Sequence, residues 1–351
     1  RWLSGVAGWG GATAVVVGCT GVAVVLFVDA RGMAASVAGL VSVFAEHRSD
    51  VRLAGVVYNH VASDRHFNML SDAVRASCPG ITVLGGLRRR ENLTVPSRHL
   101  GLLQAGEQAD LEGLLDAAAE AVAADLDIDA LAGLAVPALS GNAAQPEPAL
   151  APLGQVIAIA RDMAFAFCYP HVIGGWQKAG AAIQVFSPLA GEGPSEQATA
   201  VYLPGGYPEL HAATLSASSG FRAGMISAAE RNAVIYGECG GYMVLGDHLI
   251  DAGGKAHAML GLLPLETSFA APRRRLGYRR VALAADGLLG TKGQVFRAHE
   301  FHYSGEEKSG AGKRLFHMQD AAGTDLGSSG LVQGRVFGSY IHLIDHEIPG
   351  R

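Results

Sequence analysis

The chain is short of several features that would each assign it to a class. Its four cysteines, Cys19, Cys78, Cys168 and Cys239, are widely spaced and form no Cys-x-x-Cys pair. That spacing suits neither a disulfide framework nor a zinc site, and a reducing cytoplasm is the expected location. Charged residues are only 17% of the chain, and 27 lysines and arginines against 32 acids leave a net charge of −5. A nucleic-acid binder needs a basic face, so no nucleic acid is expected as a partner. Long apolar runs are scarce as well. Val15–Val28 is almost wholly apolar, but Gly18 and Gly21 interrupt it and it is shorter than a bilayer core requires. No small-residue cleavage site follows it, so neither a membrane span nor a signal peptide is expected. The chain begins at Arg1 rather than Met, which points to a missing amino-terminal stretch.

What is plentiful is apolar and small: 49% hydrophobic residues and 47 glycines in 351 residues. This composition suits buried parallel sheets covered by small-residue helices, and the length suggests two domains. Residues 22–125 alternate strand-like and helix-like segments, with strands at Val22–Val28, Val51–Tyr58 and Ile81–Leu84 and helices at Met33–His47, Arg65–Ala76 and Leu111–Ala124. Residues 126–153 carry Pro137, Pro146, Pro148 and Pro152 without a clear period and read as a linker. A second alternating unit begins near Gln155, with strands expected at Ala182–Phe186, Ala200–Leu203, Val234–Tyr236 and Arg335–Tyr340. Such alternation implies parallel, doubly wound sheets.

The most informative segment is Val234-Ile235-Tyr236-Gly237-Glu238-Cys239-Gly240-Gly241-Tyr242. An apolar strand stops at a glycine-framed turn and a helical pattern follows, which is the layout of a nucleophile elbow with a thiol in place of serine. The positive end of the following helix favours a thiolate at Cys239. A buried structural cysteine is the competing reading, and the glycine frame weighs against it. Upstream, a strand runs into Pro204-Gly205-Gly206-Tyr207-Pro208-Glu209. This loop can aim a backbone N–H at an oxyanion, with Gly240 supplying a second donor. Late in the chain, Gly338-Ser339-Tyr340-Ile341-His342 offers a base. His299-Glu300-Phe301-His302-Tyr303-Ser304 competes, since His-x-x-His could hold a metal on one helical turn, but no second half of a zinc signature accompanies it and no metal site is identified.

Taken together, these segments resemble the cobyrinate or hydrogenobyrinate a,c-diamide synthases. Ala160-Arg161-Asp162, Phe165-Ala166-Phe167, Tyr169-Pro170, Gly261-Leu262-Leu263-Pro264 and Leu276-Gly277-Tyr278-Arg279 strengthen the resemblance. So do Val28-Asp29-Ala30-Arg31-Gly32-Met33 and Pro96-Ser97-Arg98-His99-Leu100. It covers nearly the whole chain. It implies an α/β fold of two doubly wound parallel-sheet domains. The first, over 1–125, would be an incomplete P-loop NTPase-like (dethiobiotin-synthetase-like) ATP-binding domain. The linker would span 126–153, and a class I, flavodoxin-like glutaminase domain would span 154–351.

Carried onto this sequence, the resemblance implies that Cys239 attacks the side-chain amide of glutamine while His342 serves as base and acid. Gly206 and Gly240 would hold the oxyanion, and Gly205, Tyr207 and Glu209 would line the glutamine pocket. Class I glutaminases place a glutamate two residues after the histidine, where this chain has Ile344; neither Asp345 nor Glu347 is assigned in its stead, so the third member is open. The ammonia would amidate the a and c carboxylates of a corrinoid, with ATP and Mg²⁺ required by the full-length enzyme and no tightly bound cofactor. Asp29 and Asn59 are candidates for the nucleotide site, although either fits a cap or turn role. Arg98, His99, Arg275, Tyr278, Arg279, His299 and His302 are candidates for the corrinoid carboxylates, since Arg pairs carboxylates bidentately. For the arginine cluster a solvated basic loop competes.

No Gly-Lys-Ser/Thr cradle occurs in the chain. The family carries that loop at its start, so the resemblance implies a truncated amino terminus. Two alternatives stand beside this reading: a cobyric acid synthase-like amidotransferase, and a degenerate homologue retaining only glutaminase or binding function. The expected partners are glutamine, ATP and a corrinoid polycarboxylate, with no membrane and with a homodimer left open.

Overall fold

The computed structural model describes residues 13–95, 104–137, 148–310 and 312–347, and Arg98 and His99 lie outside them. The chain divides into two compact units, Arg1–Ala144 and Gln145–Arg351. In the first, α1 (Thr13–Thr20), β1 (Val24–Asp29), α2 (Ser36–Glu46), β2 (Leu53–Val61), α3 (Asp64–Ser77), β3 (Thr82–Arg88), α4 (Leu111–Asp125) and α5 (Ile128–Gly133) follow one another. Three helix starts are set by side chains that accept an orphan backbone N–H: Ser63 from His66, Asp110 from Gly113 and Asp127 from Ala130. The sheet is parallel in the order β1-β2-β3. Val28, Val37, Val41, Val56, Tyr58 and Leu70 are buried between sheet and helices. Residues read as the start of a linker fold onto this unit, where the Asp127 N–H donates to the Leu84 carbonyl at 2.7 Å.

The second unit runs β4 (Val156–Ala160), α6 (Pro170–Lys178), β5 (Ala182–Phe186), β6 (Ala200–Leu203), α7 (Ala212–Ala217), α8 (Ser219–Glu230), β7 (Val234–Glu238) and α9 (Gly240–Leu245). It continues through β8 (His248–Ile250), β9 (Ala256–Ala258), β10 (Leu265–Ser268), β11 (Arg275–Leu283), β12 (Val295–His302) and β13 (Gly305–Ser309). It ends with β14 (Phe316–Asp320), β15 (Asp325–Ser329), β16 (Leu331–Gln333), β17 (Val336–Ser339) and β18 (Ile341–His346). The central sheet has the order β16-β17-β7-β6-β4-β5, parallel except for β16.

The period-two alternation of these strands sorts their side chains between two cores. Ala158, Ala160, Val201, Leu203 and Ile235 pack with Phe165, Phe221, Met225 and the elbow helix α9. Ile157, Ile159, Tyr202, Val234 and Tyr236 pack with Trp176 and with Phe296, Phe316 and Ile341. Those last three come from a five-stranded antiparallel sheet, β15-β14-β11-β12-β18, which together with the smaller sheet β13-β10-β8-β9 was not anticipated from the sequence. Leu150 and Leu153, also read as linker, are buried in this second core.

Trp176 is fully buried, and its indole N–H has no hydrogen-bond partner. Trp176→Phe removes that unpaired donor along with some volume, so a cost below about 2 kcal/mol is expected. Trp176→Ala, which leaves a cavity, should cost about 3–5 kcal/mol. Calorimetric unfolding of the two variants tests the ordering.

Candidate active site

The site is assembled where β7 ends. Cys239 has φ 50° and ψ −105°, a left-handed backbone that a side-chain-bearing residue rarely adopts. Its N–H donates to the Ser339 carbonyl at 2.8 Å, which anchors the elbow to β17. The thiol is buried, with Sγ 3.8 Å from the carbonyl oxygen of Phe301 on β12.

The Gly205–Glu209 loop is fastened against this elbow. The Phe167 N–H donates to the Gly205 carbonyl at 2.9 Å, and Phe167 meets the Tyr207 ring edge to face, with centroids 5.1 Å apart. Asp162 fixes the segment that carries Phe167, accepting from the Ala164 and Leu189 N–H groups and the Ser187 hydroxyl. Glycine is required at two points of the loop. A Cβ on Gly205 would stand 2.7 Å from His342 Cε1 and 3.4 Å from Cys239 Cβ, and one on Gly206 would strike the Ala164 carbonyl oxygen. A Cβ on Gly240 would fall 3.0 Å from the Gly206 nitrogen, so the backbones of the two expected oxyanion donors lie side by side.

His342 reaches the thiol from β18. Ser339 makes this possible: its hydroxyl accepts from the Ile341 N–H at 3.1 Å just where the chain passes from β17 in the central sheet to β18 in the antiparallel one. Burial opposes charge on His342. The facing Cys239 and Glu238 outweigh burial and push the imidazole up to about 10. A histidine that holds a proton beside a thiol is the electrostatic arrangement of a thiolate–imidazolium pair.

Glu238 is the residue that sequence reasoning missed. It is the last residue of β7, fully buried, with Oε1 3.4 Å from His342 Nδ1. The Tyr202 and Tyr236 hydroxyls donate to its two oxygens at 3.0 Å each, and the Leu343 N–H donates at 3.1 Å. Burial, reinforced by the carboxylate, raises both tyrosines well above their ordinary range, so they remain protonated donors. A signal was available: an acid at the end of an apolar strand is out of place unless it is paired.

The ring nitrogen that faces Glu238 also lies 3.1 Å from the Tyr169 hydroxyl, and that hydroxyl lies 2.5 Å from His299 Nε2. His299, expected among carboxylate binders, instead stacks on His342 with centroids 4.5 Å apart. Burial, then the His342 charge, lowers His299 to about 4, which keeps it neutral. His302 is on the same strand rather than a helical turn, and a spacing of three on a strand sends it to the opposite face. It is buried, bonded to Glu300 and the Ser304 carbonyl at 2.9 Å each, and stacked on Tyr340. Neither a metal shared with His299 nor a ligand carboxylate fits that position.

Arg279 is likewise spent, its guanidinium 2.7 Å from Glu300 with both side chains largely buried. Arg275 and Tyr278 remain exposed. In the first unit, Asp29 and Asn59 are register partners at the carboxyl edge of the parallel sheet, the edge where such sheets bind ligands. Arg31 clamps Asp29 and holds its carboxyl well below the usual carboxylate range. Gly206→Ala should cost about 2–4 kcal/mol, because its methyl must displace backbone rather than a flexible side chain. Thermal unfolding of that variant provides the check.

Comparison with known proteins places this geometry. Residues 156–347 match the family described as CobB/CobQ-like glutamine amidotransferase domain. A hydrogenobyrinate a,c-diamide synthase of Sinorhizobium sp is 53% identical over 342 residues, covering 97% of this chain and 77% of that protein. The enzyme of the same name from Rhizobium meliloti is 51% identical, covering 98% and 78%. That from Mesorhizobium japonicum is 46% identical, covering 92% and 73%. Among solved structures, PurLQS from Thermotoga maritima aligns with 53% of this chain and 86% of its own, at 17% identity and a TM-score of 0.39. With a family match over residues 156–347 and about half of all residues shared along nearly the full chain, the protein belongs to the hydrogenobyrinate a,c-diamide synthase family.

Proposed function

We propose that this protein hydrolyses glutamine at Cys239 and directs the ammonia to amidation of the a and c side-chain carboxylates of hydrogenobyrinate or cobyrinate, in cobalamin biosynthesis. The observation that carries the glutaminase half is the buried Cys239–His342–Glu238 array beside the paired backbones of Gly206 and Gly240. The corrinoid half rests on relatives whose names specify that substrate.

The chemistry follows from the groups in place. With the Cys239 proton already residing on His342, the thiolate attacks the amide carbon of glutamine. The resulting oxyanion is met by the N–H groups of Gly206 and Gly240. The tetrahedral species collapses, the C–N bond breaks, and His342 returns the proton to the departing ammonia. Water, deprotonated by His342, then attacks the glutamyl thioester; glutamate leaves and the thiolate is restored. Glu238 steadies the imidazolium through each transfer, as the carboxylate of a catalytic triad does.

ATP, when bound, supplies the activation of the acceptor carboxylate. Asp29 and Asn59 stand at the carboxyl edge of the first unit's parallel sheet as candidates for the nucleotide site, while a Gly-Lys-Ser/Thr phosphate cradle is absent from the sequence. Among the described residues, Arg275 and Tyr278 are the corrinoid candidates that stay open to solvent.

Cys239→Ala is expected to abolish glutamine hydrolysis. Glu238→Gln should lower kcat about 100-fold, less than loss of a triad carboxylate in tighter contact. Glutamate release measured with each variant decides both; full hydrolysis by Cys239→Ala would sink the assignment.

Glu209 bears on substrate binding. Its loop seats Pro208 against Gly240, and burial pushes the carboxyl up to about 7. If it receives the α-ammonium of glutamine, only its ionised form binds. The KM for glutamine should then rise about tenfold from pH 8 to pH 6, and Glu209→Gln should flatten that dependence. A pH series of KM values for both proteins tests it.

A further inference from the structure

The base of the site carries a second arm that a Cys–His–Glu array does not need. His299 and His342 are register partners on neighbouring antiparallel strands, and their rings stack at an interplanar angle of 9°. One hydroxyl, that of Tyr169 at the N-cap of α6, bridges the two rings, 2.5 Å from His299 Nε2 and 3.1 Å from His342 Nδ1. A single hydroxyl has one proton to give, so it can donate to only one of these nitrogens and must accept from the other.

We infer that Tyr169 and His299 are positioning residues whose hydrogen-bond polarity keeps the His342 proton on Nδ1 and so leaves Nε2 to serve the thiol. The inference rests on the glutaminase reading and deepens it. With His299 neutral and its Nε2 accepting, the Tyr169 proton is committed to His299. The Tyr169 oxygen is then free to accept from Nδ1–H of His342. Were His299 unable to accept, the hydroxyl could turn and donate to Nδ1, which would oppose the Nδ1 proton of the charged ring and, once His342 has given a proton away in the cycle, would force its remaining proton onto Nε2. That tautomer cannot take the thiol proton.

The surroundings hold this polarity. The groups facing the His299 ring are Tyr169, His342, Glu238 and, across the register on β11, Tyr278. The nearby acids do not compete for the ring: Glu300, next in sequence, is engaged by Arg279 and His302 on the opposite face of β12. His171, edge-on to Tyr169, lies 2.8 Å through Nε2 from the Ile344 carbonyl and is occupied elsewhere. Burial drives His299 toward the neutral form and raises Tyr169 beyond its ordinary range, so neither end of the relay ionises near neutral pH. The Tyr169 hydroxyl is closer to Nδ1 than Glu238 is, 3.1 Å against 3.4 Å. The carboxylate supplies charge, and the relay supplies direction.

The test uses the protein with glutamine alone and, separately, with iodoacetamide, following alkylation of the Cys239 peptide by mass across pH. His299→Phe keeps a stacking ring without an acceptor; Tyr169→Phe removes the bridging hydroxyl; His299→Gln restores an acceptor. The expected result for either phenylalanine variant is a kcat about tenfold lower, a KM within about twofold, and an alkylation midpoint about one pH unit higher. His299→Gln should recover both readouts to within about threefold of the parent protein. Alkylation profiles that superimpose for parent, His299→Phe and Tyr169→Phe overturn the inference, as does a His299→Gln variant no better than His299→Phe. If the parent protein fails to turn over glutamine while the alkylation contrast persists, the glutaminase reading falls and the relay stands.

Discussion

The second unit is organised around one buried carboxylate. Glu238 ends β7 on the face that carries Val234 and Tyr236, toward the antiparallel sheet. An ion in so dry a place is tolerated only when its oxygens are saturated. Two tyrosine hydroxyls, one backbone N–H and the His342 ring meet that condition. These partners come from β6, β7 and β18, so satisfying one charge joins the central sheet to the antiparallel sheet. The stacking of Tyr202 on Tyr236, 5.5 Å apart at 11°, holds the two donors parallel beneath the carboxylate.

The antiparallel sheet is thus more than a cover for the core. β12 contributes the Phe301 carbonyl beside the thiol and the His299 ring beside the base, while its alternate residues, Glu300 and His302, are locked from behind by Arg279 and Ser304. The Arg279–Glu300 ion pair and the hydrogen bonds of His302 on the hidden face fix the strand, and the facing residues are thereby held in place. This division follows from the pleat of a single strand.

Much of this was legible in the chain. The elbow, the Gly-Gly loop and the late histidine announce themselves because a tight turn between an apolar strand and a helix admits few residues, and glycine marks each close approach. The parallel strands were equally clear, since buried β-branched runs alternating with helical patterns have few other interpretations. The antiparallel strands between residues 248 and 346 were not. Their side chains are divided among core, site and solvent: β12 is buried on alternate residues, but Glu300 and His302 share that buried face with Phe296 and Ala298, so no alternation of apolar and polar residues marks the strand in the sequence. Glu238 is hidden by proximity: it stands beside the nucleophile in sequence, whereas the class I pattern places the third member two residues after the histidine, where this chain has Ile344. His299 and His302 lie on a strand, where a spacing of three separates faces that one turn of a helix would bring together.

Between β12 and β18 the pairing shifts at Arg297–Ala298, an irregularity in an otherwise regular ladder. Beyond it, His299 stands opposite His342. Because strand faces alternate, a slip of one residue would turn the imidazole away from the thiol altogether. An extra residue opposite a regular strand is hard to move along a ladder. The bulge therefore works as an indexing pin, so that the catalytic base is either fully in gear or wholly out of it.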